Sequence, residues 1–383
     1  MNILFIENAG HKSAGAFISL VTLVCELRKY GVDSYLLIPD RADGTELLDK
    51  NDIVYLKLRE CSYSQMLSKK ATFFEKCKMP FKDIKIKSAA KKVMKFVYEH
   101  NIEIVHENTS ASYLGYYISK MCNIKHVWHI REFMEEDFGC TLWKRERALR
   151  RFNEADAVIA ISQSIYEKYK NDVGSNMSII YNGIDIKRFL NDRVEIFNNE
   201  VVNILSVGRV TEGKGQLILL EAITKLRTLY TNFHVTFIGN QSDIGYMKVL
   251  KDYIAINSIR EYVTFIEQVD DIQSMYSTSD IFCMTSKCEA FGKVTIEAMV
   301  SGCLVVGSNS GGTKEIISDD INGVLFESMN SDNLADKLIE IWGEKEKYKQ
   351  VAINGKKEAC DKYSAERNAK EIESIYRKIV DIN

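Results

Sequence analysis

No apolar run in this chain of 383 residues reaches the roughly 18 residues that a membrane-spanning helix requires. The opening stretch MNILFIENAG has neither the positive n-region nor the small-residue cleavage site of a signal peptide, and looks like a first strand. Nine cysteines are scattered without a Cys-x-x-Cys or a Cys/His metal spacing, so they read as reduced core residues of a soluble, cytoplasmic protein. Prolines number two, and repeats and low-complexity tracts are missing. Positive charge is not in excess either: 51 Lys and Arg stand against 53 Asp and Glu. The resulting net charge of -2 argues against a protein that coats nucleic acid. Neither a complete Walker motif, which requires Ser or Thr where Gly215 stands, nor Gly-x-Gly-x-x-Gly occurs, which leaves nucleotide hydrolysis and dinucleotide binding unsupported.

What the chain does have is length and rhythm. With 46% hydrophobic residues it can bury a sizeable core, and 383 residues suit two domains. Short apolar runs alternate with amphipathic ones: NILFI, SYLLI, DIVYL, IEIVH, KHVWHI and DAVIAIS read as buried strands, with helical patterns at 16-30, 85-100 and 144-154. The rhythm restarts after NNEVVNILSVGR, with FHVTFIGN, YVTFIEQ, DIFCMTS, CLVVGSN and NGVLFES. Such alternation implies parallel sheets with right-handed crossovers, hence an α/β chain of two Rossmann-like domains. The polar segment 187-200 reads as the hinge. A final helical run, SAERNAKEIESIYRKIV, follows the second series.

Ligands of such sheets bind beyond the carboxyl ends of the strands, where loops meet helix N-termini. Two segments carry suitable chemistry. In VGRVTEGKGQLILLEA, residues 207-222, Arg209 and Lys214 can converge on a phosphate with free backbone N-H groups; a glycine-rich turn with solvated charges fits as well. In CEAFGKVTIEAMVSGCLVVGSNSGG, residues 288-312, Glu289 and Glu297 bracket Phe291 and Gly292 where a helix is expected to start near Lys293. Carboxylates there oppose an anion unless they face other groups. A nucleotide sugar reconciles the two, its diphosphate on the N-H groups and cations, its hydroxyls on the carboxylates. One glutamate favouring the helix dipole and one ordinary helical glutamate fit too.

The EAFGKVTIE segment, followed by AMVSGCLVVGSNSGGTKEII, closely resembles the retaining GT-B glycosyltransferases of family four. VGRVTEGKG, FIGN and IIYNGID stand in the order and approximate spacing of that family, and the likeness is strongest over about residues 155-330. The resemblance implies two Rossmann-like domains facing across a cleft. Residues 1-187 with 364-383 would form the acceptor domain, including a returning C-terminal helix, and residues 188-363 the donor domain. Position by position, Arg209 and Lys214 match the pair that holds the donor diphosphate. Glu297 matches the glutamate on the ribose, and Glu289 the one at the donor sugar. Phe291, Gly292 and Val294 lie where backbone groups meet sugar and phosphates, and Asn240 would wall the nucleotide pocket. His129, after KHVWHI, stands where the family has a histidine that reaches the transferred sugar, while a strand-end histidine of purely structural role is the competing reading. Arg131 and Glu132 can serve donor or acceptor. In NAGHKSAGAFISL, where the family often has paired glycines, Gly15 is the candidate for the donor phosphate, with His11 and Lys12 for the acceptor.

Residues 69-95 hold ten lysines against Glu75 and Asp83, with Phe73, Phe74, Met79 and Phe81 interleaved. Such charge can attract anionic lipid headgroups while the apolar side chains enter the interface, which suits the lipid-linked or glycan acceptors of the family. A solvated helical face fits the charges equally, and RNA fits poorly without stacking aromatics in a known motif. Asp-x-Asp is missing from the chain, so Arg209, Lys214 and the helix end are expected to replace a divalent ion, and no cofactor is implied. The expected reaction moves a sugar from a nucleoside diphosphate, uridine diphosphate by family prior, to an acceptor in surface-polysaccharide synthesis, at the inner face of the membrane. A sugar phosphorylase, a nucleotide-sugar epimerase and a non-enzymatic sugar-binding protein stay open.

Overall fold

Ile3, Leu4, Phe5 and Ile6 are fully buried, as a strand covered on both faces requires, and around them the first half of the chain is built. The computed structural model describes residues 1-12, 14-133, 139-192, 195-269 and 271-381. In chain order the strands of this half are β1 (Asn2–Ile6), β2 (Asp33–Ile38), β3 (Val54–Lys57), β4 (Met66–Ser68), β5 (Ile104–Glu107), β6 (Lys125–Ile130), β7 (Cys140–Leu142), β8 (Ala157–Ala160) and β9 (Met177–Ile179). Seven form one sheet in the order β3-β2-β1-β5-β6-β8-β9, every pair parallel. β4 and β7 pair antiparallel in a small separate sheet. Neither this ribbon nor β9 is anticipated from sequence, because three-residue strands are too short to show a period.

The helix Gly15–Arg28 packs on the sheet through Phe17, Leu20, Val24 and Leu27. The terminal helix Ala365–Val380 buries Ala369, Ile372, Tyr376 and Ile379, the spacing of one helical face, in that same core. Residues Met1–Gly183 with Ala365–Asn383 make one compact unit, and Ile184–Ser364 the other. The first crossing thus falls at Gly183, earlier than residue 187. Ile184 already belongs with the second unit, bridging Ser364 and donating its N-H to the Tyr363 carbonyl at 2.9 Å. The helix Ile186–Phe189 overlaps the start of the expected hinge, and Arg193 and Val194 lie outside the described residues.

The basic stretch corrects the expected helix at 85-100. It is helical from Phe73 to Glu99, started by Thr72, whose hydroxyl accepts from the Glu75 N-H while Glu75 accepts from the Thr72 N-H. The dense lysines hide the apolar face of Met79, Ile86, Ala90, Val93 and Val97. Met79 is therefore buried and cannot enter a lipid interface, whereas Phe73, Phe74, Phe81 and Ile84 are exposed. Asp83 does not dilute the surface charge either: it is paired with Arg147 at 2.8 Å and Arg151 at 3.1 Å.

The second unit repeats the plan with β10 (Val202–Val207), β11 (Phe233–Ile238), β12 (Val263–Ile266), β13 (Ile281–Met284), β14 (Leu304–Ser308) and β15 (Val324–Phe326). Their order is β12-β11-β10-β13-β14-β15, all parallel. Helices Gln216–Leu226 and Ser331–Gly343 supply much of its core through Leu219, Ile223, Leu334 and Leu338. No described helix is long and apolar enough to cross a membrane.

Candidate active site

In the second unit the strand order reverses between β10 and β13, the place where such sheets open a crevice at their carboxyl ends. The loop leaving β10 carries Arg209, exposed, and Lys214, partly buried. This loop is held against the end of β13. Thr285 donates its hydroxyl to the Lys214 carbonyl at 3.0 Å, and the Lys287 N-H donates to the Gly213 carbonyl at 2.9 Å. Gly215 makes the approach possible: it adopts φ 68°, and a Cβ there would stand 2.2 Å from the Thr285 carbonyl oxygen. The consequence is that Lys214 Nζ lies 2.5 Å from Glu289 Oε1.

Glu289 is fixed from the other side by the loop after β14. The Gly312 N-H donates to the Glu289 carbonyl at 2.7 Å, and a Cβ at Gly312 would come within 2.5 Å of the Phe291 backbone. Phe291 is buried, and Gly292, at φ 98°, turns the chain into the helix Lys293–Val300. The start of this helix agrees with the expectation from sequence. The N-H groups of Lys293 and Val294 precede any intrahelical acceptor and lie at its positive end.

Glu297 is one turn further on and nearly enclosed. Its Oε2 accepts from the Tyr276 hydroxyl at 3.2 Å, and Lys293 Nζ lies 3.6 Å from its Oε1. Burial, and then the adjacent carboxylate, hold the Tyr276 phenol well above its ordinary range, so it stays a donor to Glu297. Both carboxylates therefore face cations or a hydroxyl, leaving the helix end to an anion. Asn240 is exposed beside the Arg209 loop, its carbonyl accepting from the Val210 N-H at 2.9 Å and its Oδ1 from the Ser242 N-H at 3.1 Å. Sequence reasoning missed Tyr276, whose only signal is an aromatic in the short helix before β13, and missed the positioning role of Gly312.

In the first unit the order reverses between β1 and β5. Glu7, just past β1, accepts from the Ala9 N-H at 3.0 Å on Oε1 and from Asn108 Nδ2 at 2.7 Å on Oε2. It ties the two loops of the switch point together, and sequence reasoning passed over it. The glycine this loop requires is Gly10, at φ 64°, where a Cβ would stand 2.6 Å from the Ala42 Cβ. Gly15 opens the helix Gly15–Arg28 with nothing within 4 Å of an added Cβ, so the described fold does not demand a glycine there. His11 and Lys12 are exposed and flank Asp43. His11 Nδ1 lies 3.6 Å from Asp43 Oδ1, to which the Lys12 N-H donates at 2.8 Å.

His129, near the end of β6, is fully enclosed. Its Nδ1 lies 3.2 Å from His106 Nε2 and 3.3 Å from Arg131 Nη2, and His106 Nδ1 lies 2.5 Å from the Tyr376 hydroxyl. Arg131 Nη1 donates to Asn182 Oδ1 at 2.7 Å. Burial lowers the guanidinium to about 10, with Glu7 and Glu132 opposing the change, so it remains a cation. Glu132 is engaged by the loop after β5: Oε1 accepts from the hydroxyls of Thr109 and Ser110, both at 2.6 Å, and from the Ser110 N-H at 2.9 Å. Burial raises its carboxyl above the ordinary range against the pull of those donors. No group of three His, Cys, Asp or Glu suited to a metal ion occurs among the described residues.

Two family models match the chain in succession: that for Glycosyltransferase Family 4 over residues 14–188, and that for Glycosyl transferases group 1 over residues 188–358. The chain belongs to the family 4 glycosyltransferases, with the two Rossmann-like domains of the GT-B architecture. It is 31% identical over 242 residues to an uncharacterized glycosyltransferase of Methanocaldococcus jannaschii, a match covering 58% of this chain and 60% of that protein. It is 28% identical over 240 residues to the lipopolysaccharide 1,2-N-acetylglucosaminetransferase of Salmonella typhimurium, covering 58% and 62%. The matched stretch thus spans about three fifths of the length of these curated relatives. Among solved structures, Anabaena HepE in complex with UDP superposes with a TM-score of 0.83 at 21% identity, covering 99% of this chain and 100% of that one. A glycosyltransferase from Rickettsia africae gives 0.81 at 20%, covering 99% and 98%. These two establish a shared fold.

Proposed function

We propose that this chain is a retaining, metal-independent glycosyltransferase that moves a sugar from a nucleoside diphosphate, uridine diphosphate by preference, to a glycan or lipid-linked acceptor in surface-polysaccharide synthesis. The observation that carries it is the assembly, at one switch point, of Lys214, Glu289, the Lys293–Val300 helix end and Glu297. Such a set offers cations and N-H groups to a diphosphate and carboxylates to hydroxyls on either side of it. The name of the Salmonella relative and the UDP bound to the Anabaena protein agree with this choice of donor and pathway.

Departure of the diphosphate leaves positive charge on the sugar ring and negative charge on the leaving group. Lys214, Arg209 and the N-H groups of the helix end would stabilise the latter, a preorganised effect of the kind that elsewhere contributes about a hundredfold to a thousandfold per donor. Glu297, oriented by Tyr276, would accept from the ribose, and Glu289 would hold the sugar; in the first unit, described by itself, His129 would offer a sugar contact at the end of β6. In the first unit Phe73, Phe74, Phe81 and Ile84, exposed among lysines, would rest on an anionic cytoplasmic membrane surface. The test is a thermal-shift panel of five nucleoside diphosphates, with and without EDTA, on the wild type and Lys214→Ala. Ligand at a hundred times its Kd stabilises by about 2.7 kcal/mol, so one base should shift the melting midpoint, insensitively to EDTA, and the variant should lose the shift. A wild type that no nucleotide shifts would favour a protein that recognises sugar directly.

A further inference from the structure

The three-ring chain of the first unit has only one consistent arrangement of protons. Arg131 can only donate, so His129 Nδ1, 3.3 Å from Nη2, is an acceptor. His106 Nε2, 3.2 Å from the same atom, must then donate to it. Both rings are neutral: burial first, and the Arg131 charge second, holds each well below its ordinary value. A neutral His106 protonated at Nε2 has a bare Nδ1, which accepts from the Tyr376 hydroxyl at 2.5 Å. A neutral His129 with a bare Nδ1 carries its proton at Nε2. That Nε2 is buried and has no hydrogen-bond partner among the described residues.

We propose that Tyr376 and His106 are positioning residues that, together with Arg131, lock His129 in the Nε2-H form, so that it presents a fixed hydrogen-bond donor to a sugar oxygen at this strand end of the first unit. The inference rests on the reading of His129 as a sugar contact, and adds to it the direction of the hydrogen bond and the residues that set it. An enclosed N-H without an acceptor is costly, and a ligand oxygen removes that cost where water cannot compete. Without Tyr376 the His106 ring is free to present a bare Nε2, against which His129 Nδ1 has no donor from that side. Tyr376 lies on the terminal helix Ala365–Val380, so the last helix of the chain reaches the β6 strand end through one hydroxyl and one ring. This role for His106 and Tyr376 has no signal in either's local sequence, because the two are 270 residues apart.

The test has a readout that does not depend on turnover. Long-range proton–nitrogen NMR of the uniformly labelled protein reports the protonated nitrogen of each ring. In the wild type His129 should be protonated at Nε2 and neutral, and its Nε2-H resonance should move when a nucleoside diphosphate sugar saturates the protein. Tyr376→Phe, which keeps the ring, should give mixed tautomers at His106 and, with the His106 donor to Nδ1 only partly present, a shifted and broadened His129 Nε2-H resonance. It should lower kcat by about ten- to hundredfold, the scale on which outer partners of histidines act elsewhere, with nucleoside diphosphate affinity retained. His106→Gln, whose side-chain amide can still donate toward His129, should retain more activity than His106→Leu. Protonation of His129 at Nδ1, a charged ring, or a Tyr376→Phe protein with wild-type tautomers and kcat each overturns the relay. An intact Nε2-H that sugar nucleotide leaves unmoved overturns the donor role, and if Lys214→Ala still abolishes nucleotide binding, the reading of the second unit survives that failure.

Discussion

Lys214 Nζ stands 2.5 Å from Glu289 Oε1, which joins the cation assigned to the diphosphate to the carboxylate assigned to the sugar. On the proposed reading the pair would make the two ligand parts interdependent: a phosphate that draws Lys214 toward itself would leave Glu289 to a hydroxyl. Side-chain exposures of 29% and 16% keep its own contribution to stability modest, about 0–1 kcal/mol. Lys214→Ala should therefore melt near the wild type while losing about a hundredfold to a thousandfold in kcat and much of its nucleotide affinity. Glu289→Gln should separate the functions, with nucleoside diphosphate binding kept or strengthened because Lys214 is released, and turnover lost. Calorimetric titration beside steady-state kinetics checks both. Equal loss of nucleotide affinity in the two variants would contradict the division of roles.

The second prediction contrasts two glycines. A Cβ at Gly312 meets the Phe291 backbone at 2.5 Å, so Gly312→Ala must push apart the loops that carry Glu289 and the helix end. A cost of about 1–3 kcal/mol, typical of overpacking, is expected in the unfolding of the second unit, together with a severe loss of nucleotide binding. Gly15→Ala meets nothing within 4 Å and should leave the melting midpoint where it is. A raised KM in that variant would show that the glycine serves a ligand's approach, and unchanged kinetics would remove Gly15 from the site.

Much of the second unit is legible in the sequence because its chemistry is local to strand ends. Arg209, Lys214, Glu289 and Glu297 follow apolar runs whose length and flanks mark them as buried parallel strands, and Gly292 marks the helix start. Tyr276 escapes because its meeting with Glu297 depends on how a short helix packs, which no period in the sequence encodes. The first unit is harder to read for the same reason, carried further: Glu7, His106 and Tyr376 act through partners about a hundred or more residues away. The helix Phe73–Glu99 is the opposite case, where a capping pair that is plain in the sequence is outweighed by the eight lysines of the helix, which mask its apolar face.

That helix yields the third prediction. Phe73 and Phe74 are 75% and 76% exposed, and lysines surround them. If they meet lipid, Phe73→Ser with Phe74→Ser should abolish sedimentation with anionic vesicles, whereas Lys91→Glu with Lys92→Glu should weaken it in a salt-dependent way, since each basic residue near the surface contributes about 1 kcal/mol. Neutral vesicles should not bind. Vesicle binding that both double variants retain would return the stretch to a solvated face.

The fourth prediction concerns acid. His106 and His129 are held well below their ordinary value, so the unfolded chain takes up protons near pH 6.5 that the folded unit refuses. With the folded values depressed, their share of the stability is complete above about pH 6.5 and is lost as the pH falls below it, by up to about 1.4 kcal/mol per pH unit for each ring. Glu132 has the opposite sign: its raised carboxyl favours the folded state in acid and loses that advantage as the pH rises through the carboxylate range. It therefore blunts the fall only at the acidic end, and the slope should be about half its full value near pH 6.5 and approach that value about one pH unit lower. Denaturant unfolding of the first unit between about pH 7.5 and about 5.5 should show this slope, and His106→Gln should remove roughly half of it. An unchanged slope in that variant would mean that other groups take up the protons, and that His106 is not the neutral ring its enclosure requires.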